Sequence, residues 1–405
     1  MSSGIVVLVL SALLGIQPVT TDLYLPALPA LTESFAAPMA QAQLTLTALL
    51  LAFGLSQLMW GPLSDRFGRR PVLLVGLVAY IVAAIGSALA ESMDLLIVWR
   101  TLQGAAMGAG VMCARAVIRD LYVPAEGARM MSKALSGLGV IACLSAPLGG
   151  LLSDIFNWRA ALLSLAVFGA ISLALVVWRF EETLRRKNTR ALEPGTLLAT
   201  WVTIARHPTF IAYSALSAAS YGGLFTYLAA SSFVLIKVKG FSTTQYGFLM
   251  FSASFAYILG TFLCRRLLPR FGVRRTVAIA CVLSLAGGTA MGVMALAGLT
   301  DGPHGGWFIV VPCYLFMLGH GVHQPCGQSG AVGPFPHAAG AASALNGFLM
   351  MVAAFAMGGW LGTHMDGTVF PLTNGMWFWS VVIALAGWTL VQKYGEHGRA
   401  ASNAR

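Results

Sequence analysis

The chain has 405 residues, 58% hydrophobic and 10% charged, with 25 Lys and Arg against 14 Asp and Glu for a formal charge of +11. A folded water-soluble surface needs roughly a quarter charged residues, so a soluble domain is excluded. Nucleic acid is excluded as a partner too, because the basic residues fall in short clusters between apolar runs, as in a polytopic membrane protein.

An α-helical span takes about 20 apolar residues. Such runs predict twelve spans, at roughly 5–31, 42–63, 71–90, 94–115, 130–153, 159–179, 209–234, 243–264, 276–298, 306–330, 338–362 and 374–394. The expected fold is an all-α membrane protein of two six-helix bundles, 1–180 and 209–395, with a linker over 181–208 and a tail over 396–405. All Lys and Arg except Arg100, Arg159, Lys237 and Lys239 fall at one set of loops and ends. By the positive-inside rule that side is cytoplasmic, with both termini on it.

Span one has no basic leader region and no cleavage site, so it reads as a retained span. It contains Asp22, whose insertion at mid-membrane costs roughly 2.5–3.5 kcal/mol and marks it as functional. The loop after span two, Gly61-Pro62-Leu63-Ser64-Asp65-Arg66-Phe67-Gly68-Arg69-Arg70, mixes acid and base. Topology marking accounts for Arg66, Arg69 and Arg70 but not for Asp65, so these four are expected to form a cytoplasmic gate by pairing with each other or with helix ends.

Span four carries a second intramembrane charge, Arg100, and ends near Arg115. Arg115 reads either as a snorkelling residue or as a weak candidate for a proton relay. Asp22 lies roughly 13 Å and Arg100 roughly 9 Å from the outer ends of their spans at 1.5 Å per residue. At those depths both can face one water-filled cavity. Desolvation and a neighbouring guanidinium act in opposite senses on a carboxylate, so Asp22 is expected to exchange a proton for substrate, with Arg100, always charged, modulating it. An inert ion pair locking spans one and four is the competing reading.

Span five contains Pro147, Gly149 and Gly150, which permit bending and close helix packing. The linker, with Arg185-Arg186-Lys187 and no apolar periodicity, reads as a charged connection. Of the aromatics Tyr24, Tyr221, Phe225, Tyr227 and Tyr257, Tyr24 is the one assigned to a substrate cavity, two residues from Asp22. The loop after span eight, Arg270-Phe271-Gly272-Val273-Arg274-Arg275, repeats the Arg-Phe-Gly and Arg pair of the first loop, which indicates duplication and a site between repeats near the bilayer midplane. Pro269 replaces the acid there. Span ten carries His320 and His323 on one helical face, with Gln324 and Gln328; they read as a substrate-contacting strip, a second proton acceptor, or buried structural histidines. No third ligand accompanies them, so no metal is expected. The six cysteines, Cys113, Cys143, Cys264, Cys281, Cys313 and Cys326, form no C-x-x-C pair and read as small buried hydrophobes.

With these residues in view, the chain resembles the major facilitator superfamily, and within it the Bcr/CflA-like drug:proton antiporters. Gly61–Arg70 is similar to the superfamily's loop signature. Leu96-Ile97-Val98-Trp99-Arg100-Thr101-Leu102-Gln103-Gly104 resembles the proton-transfer motif of span four, and Ser145-Ala146-Pro147-Leu148-Gly149-Gly150 the antiporter motif, with Ala146 where Gly is usual. Asp22-Leu23-Tyr24-Leu25-Pro26-Ala27-Leu28-Pro29, Arg119-Asp120-Leu121-Tyr122 and the Phe335-Pro336 to Leu345 segment are similar to the same family. The resemblance implies a monomeric inner-membrane exporter of small toxic compounds driven by protons. It also implies a place for Gln103 beside the substrate. It requires no cofactor.

An importer or metabolite exporter on the same fold is the main alternative, since fold does not fix substrate. An intramembrane enzyme or receptor is the other. Neither an H-E-x-x-H run nor a G-x-x-x-x-G-K-[ST] loop occurs, which argues against a metalloprotease and an ATP-driven pump.

Overall fold

The computed structural model describes residues 3–122, 124–184, 187, 193–302, 304–335 and 338–395. The expected tail over 396–405, Arg185 and Arg186 of the linker, and Pro336 lie outside the described residues. Every regular element among the described residues is helical. In chain order these are α1 Ser3–Asp22, α2 Leu28–Ser34, α3 Met39–Phe67, α4 Arg69–Ala88, α5 Met93–Leu121, α6 Pro124–Ile155, α7 Trp158–Arg179 and α8 Pro194–Ala205. They continue with α9 Pro208–Ser232, α10 Thr243–Leu296, α11 Trp307–Val332, α12 Ala339–His364, α13 Phe370–Leu385 and α14 Val391–Tyr394.

The twelve expected spans coincide with these helices, the last running from α13 through a π-helical segment at Ala386–Leu390 into α14. Two share α10, whose 54 residues are broken at Gly272, where φ is 68°. Span one is broken as well. α1 stops at Asp22, a 3-10 turn runs over Leu25–Ala27, and α2 resumes at Leu28. Pro26 and Pro29 lack the N–H groups an uninterrupted helix would use. The linker is not wholly irregular either, because α8 forms within it from an apolar stretch too short to cross a bilayer.

The chain divides into two compact units, Met1–Leu198 with Ser242–Phe251, and Ala199–Phe241 with Ser252–Arg405. In the first, α5 packs against α3 and α4, and α1 against α6; in the second, α9 packs against α11, α12 and α13. The helices are apolar on all sides, as spans are. On α4 the buried stripe Leu73, Gly76, Leu77, Tyr80 and Ala84 lies opposite Val75, Val78, Val82 and Ile85, which are exposed where lipid would be. Lipid supplies no hydrophobic drive between helices, so small residues let backbones meet. A side chain at Gly104 would strike the Leu49 carbonyl, and one at Gly76 would strike Ala109.

Candidate functional site

The break in α1 builds the first part of the site. Where the helix stops, the Thr20 carbonyl loses its intrahelical partner and accepts a hydrogen bond from Arg100 Nη2 at 3.1 Å. The Arg100 guanidinium lies 4.2 Å from the centre of the Tyr24 ring, and its Nη1 donates to Gln103 Oε1 at 2.8 Å. Arg100 is fully buried. Its charge is thus carried by a π face, a side-chain amide and the negative end of a helix dipole. The Tyr24 hydroxyl meets Thr45 Oγ1 at 2.7 Å, and Tyr80 meets Thr20 Oγ1 at 2.7 Å. Tyr80, on α4, was not marked by the sequence; its contact with span one is 60 residues distant along the chain.

Asp22, the last residue of α1, is half-buried while Thr21, Leu23 and Tyr24 around it are buried. It accepts a hydrogen bond from Thr21 Oγ1 at 2.8 Å and enters no ion pair among the described residues. Arg100 therefore approaches the backbone two residues before Asp22 rather than its carboxylate. The expected antiporter motif reaches the same place from α6. Gly149 sits on the Leu23 carbonyl so closely that any side chain would collide with it. Pro147 and Gly150 face the start of α10: a Cβ at Gly150 would lie 2.6 Å from the Thr243 carbonyl, and one at Gly247 would lie 2.9 Å from Pro147 Cα. Asp154 closes this contact, accepting from the Thr244 N–H at 2.9 Å and from the Thr244 hydroxyl.

The charged loop forms a second cluster within the same unit. Arg69 is buried and donates to Asp65 Oδ1 at 2.6 Å, Ser64 Oγ at 2.6 Å and Asp120 Oδ2 at 2.8 Å. Arg119 approaches Asp65 at 3.7 Å, and Thr183 donates to Asp120 at 3.2 Å. Glu182 was not marked by the sequence, yet its two carboxylate oxygens accept from the Arg69 and Arg70 N–H groups, each at 3.0 Å. It thereby caps the N-terminus of α4, where a negative charge is favoured. Gly68 makes room for this with φ of 114°, and a Cβ there would lie 2.5 Å from Glu182 Oε2. Arg70 reaches the Val177 carbonyl at 3.1 Å. Arg66 stays outside, exposed and 5.6 Å over the Phe67 ring. In the second repeat Gly272 also has positive φ, but no carboxylate pairs with Arg270, Arg274 or Arg275 among the described residues.

Arg115 lies half-buried, six residues before the end of α5 at Leu121 rather than at that end. His320 and His323 belong to the other unit and are buried on α11. His320 Nδ1 meets Ser220 Oγ at 2.8 Å, and its ring stacks on Phe316 and lies 5.5 Å from Tyr257. Gln324 donates to the Ser217 carbonyl at 3.2 Å and accepts from Gln328 at 3.0 Å. The six cysteines are free and buried.

The profile described as Major Facilitator Superfamily matches residues 10–359. The chain is 30% identical over 350 residues to "Multidrug resistance protein D" of Escherichia coli K12, covering 86% of each chain. It is 26% identical to the "Bicyclomycin resistance protein homolog" of Haemophilus influenzae, covering 97% of each. Among solved structures, a partially occluded inward-open form of the E. coli xylose transporter XylE superposes with a TM-score of 0.73 at 14% identity, covering 98% of this chain and 100% of that one. At that identity the likeness concerns the fold.

Proposed function

Because the chain belongs to the major facilitator superfamily, we propose that it exports small toxic compounds across the cytoplasmic membrane in exchange for protons, with both termini in the cytoplasm, acting as a monomer. The relatives named for drug resistance support the substrate class. The observation that carries the coupling is Asp22: an intramembrane carboxylate that accepts from the neighbouring Thr21, has no cationic partner among the described residues, and lies at the break of span one. A carboxylate clamped by Arg100 would be inert. One that is unclamped is available to a proton or to a cationic or polar substrate in turn. Arg100 acts on that exchange from the backbone side, holding Tyr24 and the end of α1 in place. The Asp65–Arg69–Asp120 cluster serves as the cytoplasmic gate, and Gln103, His320 and His323 contribute to the substrate path.

Everted membrane vesicles test this directly. Substrate added outside vesicles with an acidified lumen should release protons from the lumen and enter it. Asp22→Asn should bind substrate but lose that exchange by at least tenfold. Full proton-coupled transport by Asp22→Asn would reject the assignment.

A further inference from the structure

The second unit contains a seam in which the first half of α10 and α11 run side by side in constant register. Ser252 Oγ meets the Tyr314 hydroxyl at 2.7 Å, and the Tyr257 and His320 rings are 5.5 Å apart. One turn further on, the backbones touch: a side chain at Gly260 would strike the Leu318 carbonyl, and one at Gly321 would strike the Tyr257 carbonyl. Below that contact Cys264 Sγ and Cys326 Sγ lie 3.7 Å apart, both 2% exposed. The offsets along the chain are 62 residues for both Ser252–Tyr314 and Cys264–Cys326. The paired glycines therefore hold two parallel helices so that these thiols face each other, within van der Waals reach.

We infer that Cys264 and Cys326 are an oxidisable dithiol, a modification site at which a peroxide reversibly ties α10 to α11. A disulfide requires the sulfurs to close from 3.7 Å to about 2.0 Å. The reaction needs only a small neutral oxidant that can enter a buried site. The Cys264 thiolate attacks one peroxide oxygen, the O–O bond breaks, and hydroxide leaves and takes a proton to become water. The Cys326 sulfur then attacks the Cys264 sulfur of the resulting sulfenic acid, the S–O bond breaks, and the hydroxide leaves with the Cys326 proton as a second water, forming the S–S bond. In total two thiols lose two electrons and two protons, and one peroxide becomes two waters. Cys264 is the attacking residue because it adjoins the exposed Arg265 and Arg266 at the arginine-rich end of its span. In a reducing compartment the bond would form only under oxidant and be reversed by thiols.

Position gives the bond a consequence for transport. Pro325, immediately before Cys326, sits inside α11 and has no N–H to complete the helix ladder, so α11 is bendable there. A tether at Cys326 fixes that point to α10. Oxidation is therefore expected to slow export severalfold; this half of the inference rests on the export reading, whereas the chemistry does not.

Labelling with a maleimide polymer after denaturation counts free thiols. The wild-type protein in membranes should take six labels, fall to four after hydrogen peroxide, and return to six with dithiothreitol, since it has 6 cysteines. Cys264→Ser should keep five labels throughout, and Cys326→Ser, which can form only the Cys264 sulfenic acid, should lose no more than one. Six labels after peroxide, loss that dithiothreitol does not reverse, or a two-label loss in either variant would overturn the site. Export by wild type should fall severalfold on oxidation and recover on reduction, while the double serine variant is unaffected. Full export by protein shown to carry four labels would overturn the regulatory half. A disulfide that forms in a chain with no export in either redox state would reject the export reading instead and leave the dithiol standing.

Discussion

Arg100 shows how a guanidinium is accommodated in a span without a carboxylate. Three acceptors share the charge: the Thr20 carbonyl, Gln103 Oε1 and the Tyr24 ring. Hydrogen bonds to charged groups are worth about 1.5–3 kcal/mol each, and a desolvated cation–π contact about 2 kcal/mol. A lysine presents a point charge that cannot lie flat on the ring while reaching both oxygens. Arg100→Lys should therefore insert normally but lose at least tenfold in export, measured at matched membrane levels. Asp22 and Arg100 were legible in the sequence because charge inside an apolar run is conspicuous. Their actual relation was not, because it depends on which atom of span one the arginine reaches 80 residues away. Depth along two helices places residues at one level and says nothing of their azimuth.

At the scale of elements, the turn between α3 and α4 joins backbone geometry to charge. Gly68 takes φ of 114° so that the Glu182 carboxylate can cover the first N–H groups of α4. Losing a cap costs about 0.5–2 kcal/mol. Glu182→Ala should lower the thermal midpoint of the detergent-solubilised protein by a few degrees, with Gly68→Ala lower still because it adds backbone strain and a clash with the same carboxylate. Equal midpoints for the two variants would count against this account. The helices themselves were legible because long apolar runs are hard to mistake. α8 was missed because its apolar stretch falls below the length of a span and lies among charges. Glu182 was missed because its partners are 113 and 112 residues distant.

For the whole molecule, both repeats have a glycine at positive φ after Arg-Phe, yet among the described residues only the first has a network of acids there. The two halves share a chain path and differ in their electrostatics. The proposed energy coupling is placed in the first half because Asp22 and Arg100 lie there. Each charge moved along the membrane potential gains about 2.3 kcal/mol per 100 mV. An uncoupler should therefore abolish concentrative export in cells and leave only downhill equilibration, read as recovery of intracellular substrate. Export persisting in full under an uncoupler would require another energy source.

The partners of Arg100 also set an order of assembly. Thr20 and Tyr24 leave the ribosome before span four is made, so the arginine enters a bilayer in which its acceptors already wait. Arg69 has a divided history: Ser64 and Asp65 precede it, but Asp120 and Glu182 are synthesised 51 and 113 residues after it. Its full set of partners exists only once the sixth span is complete. The last partner this cation acquires is therefore also the last made in the first half.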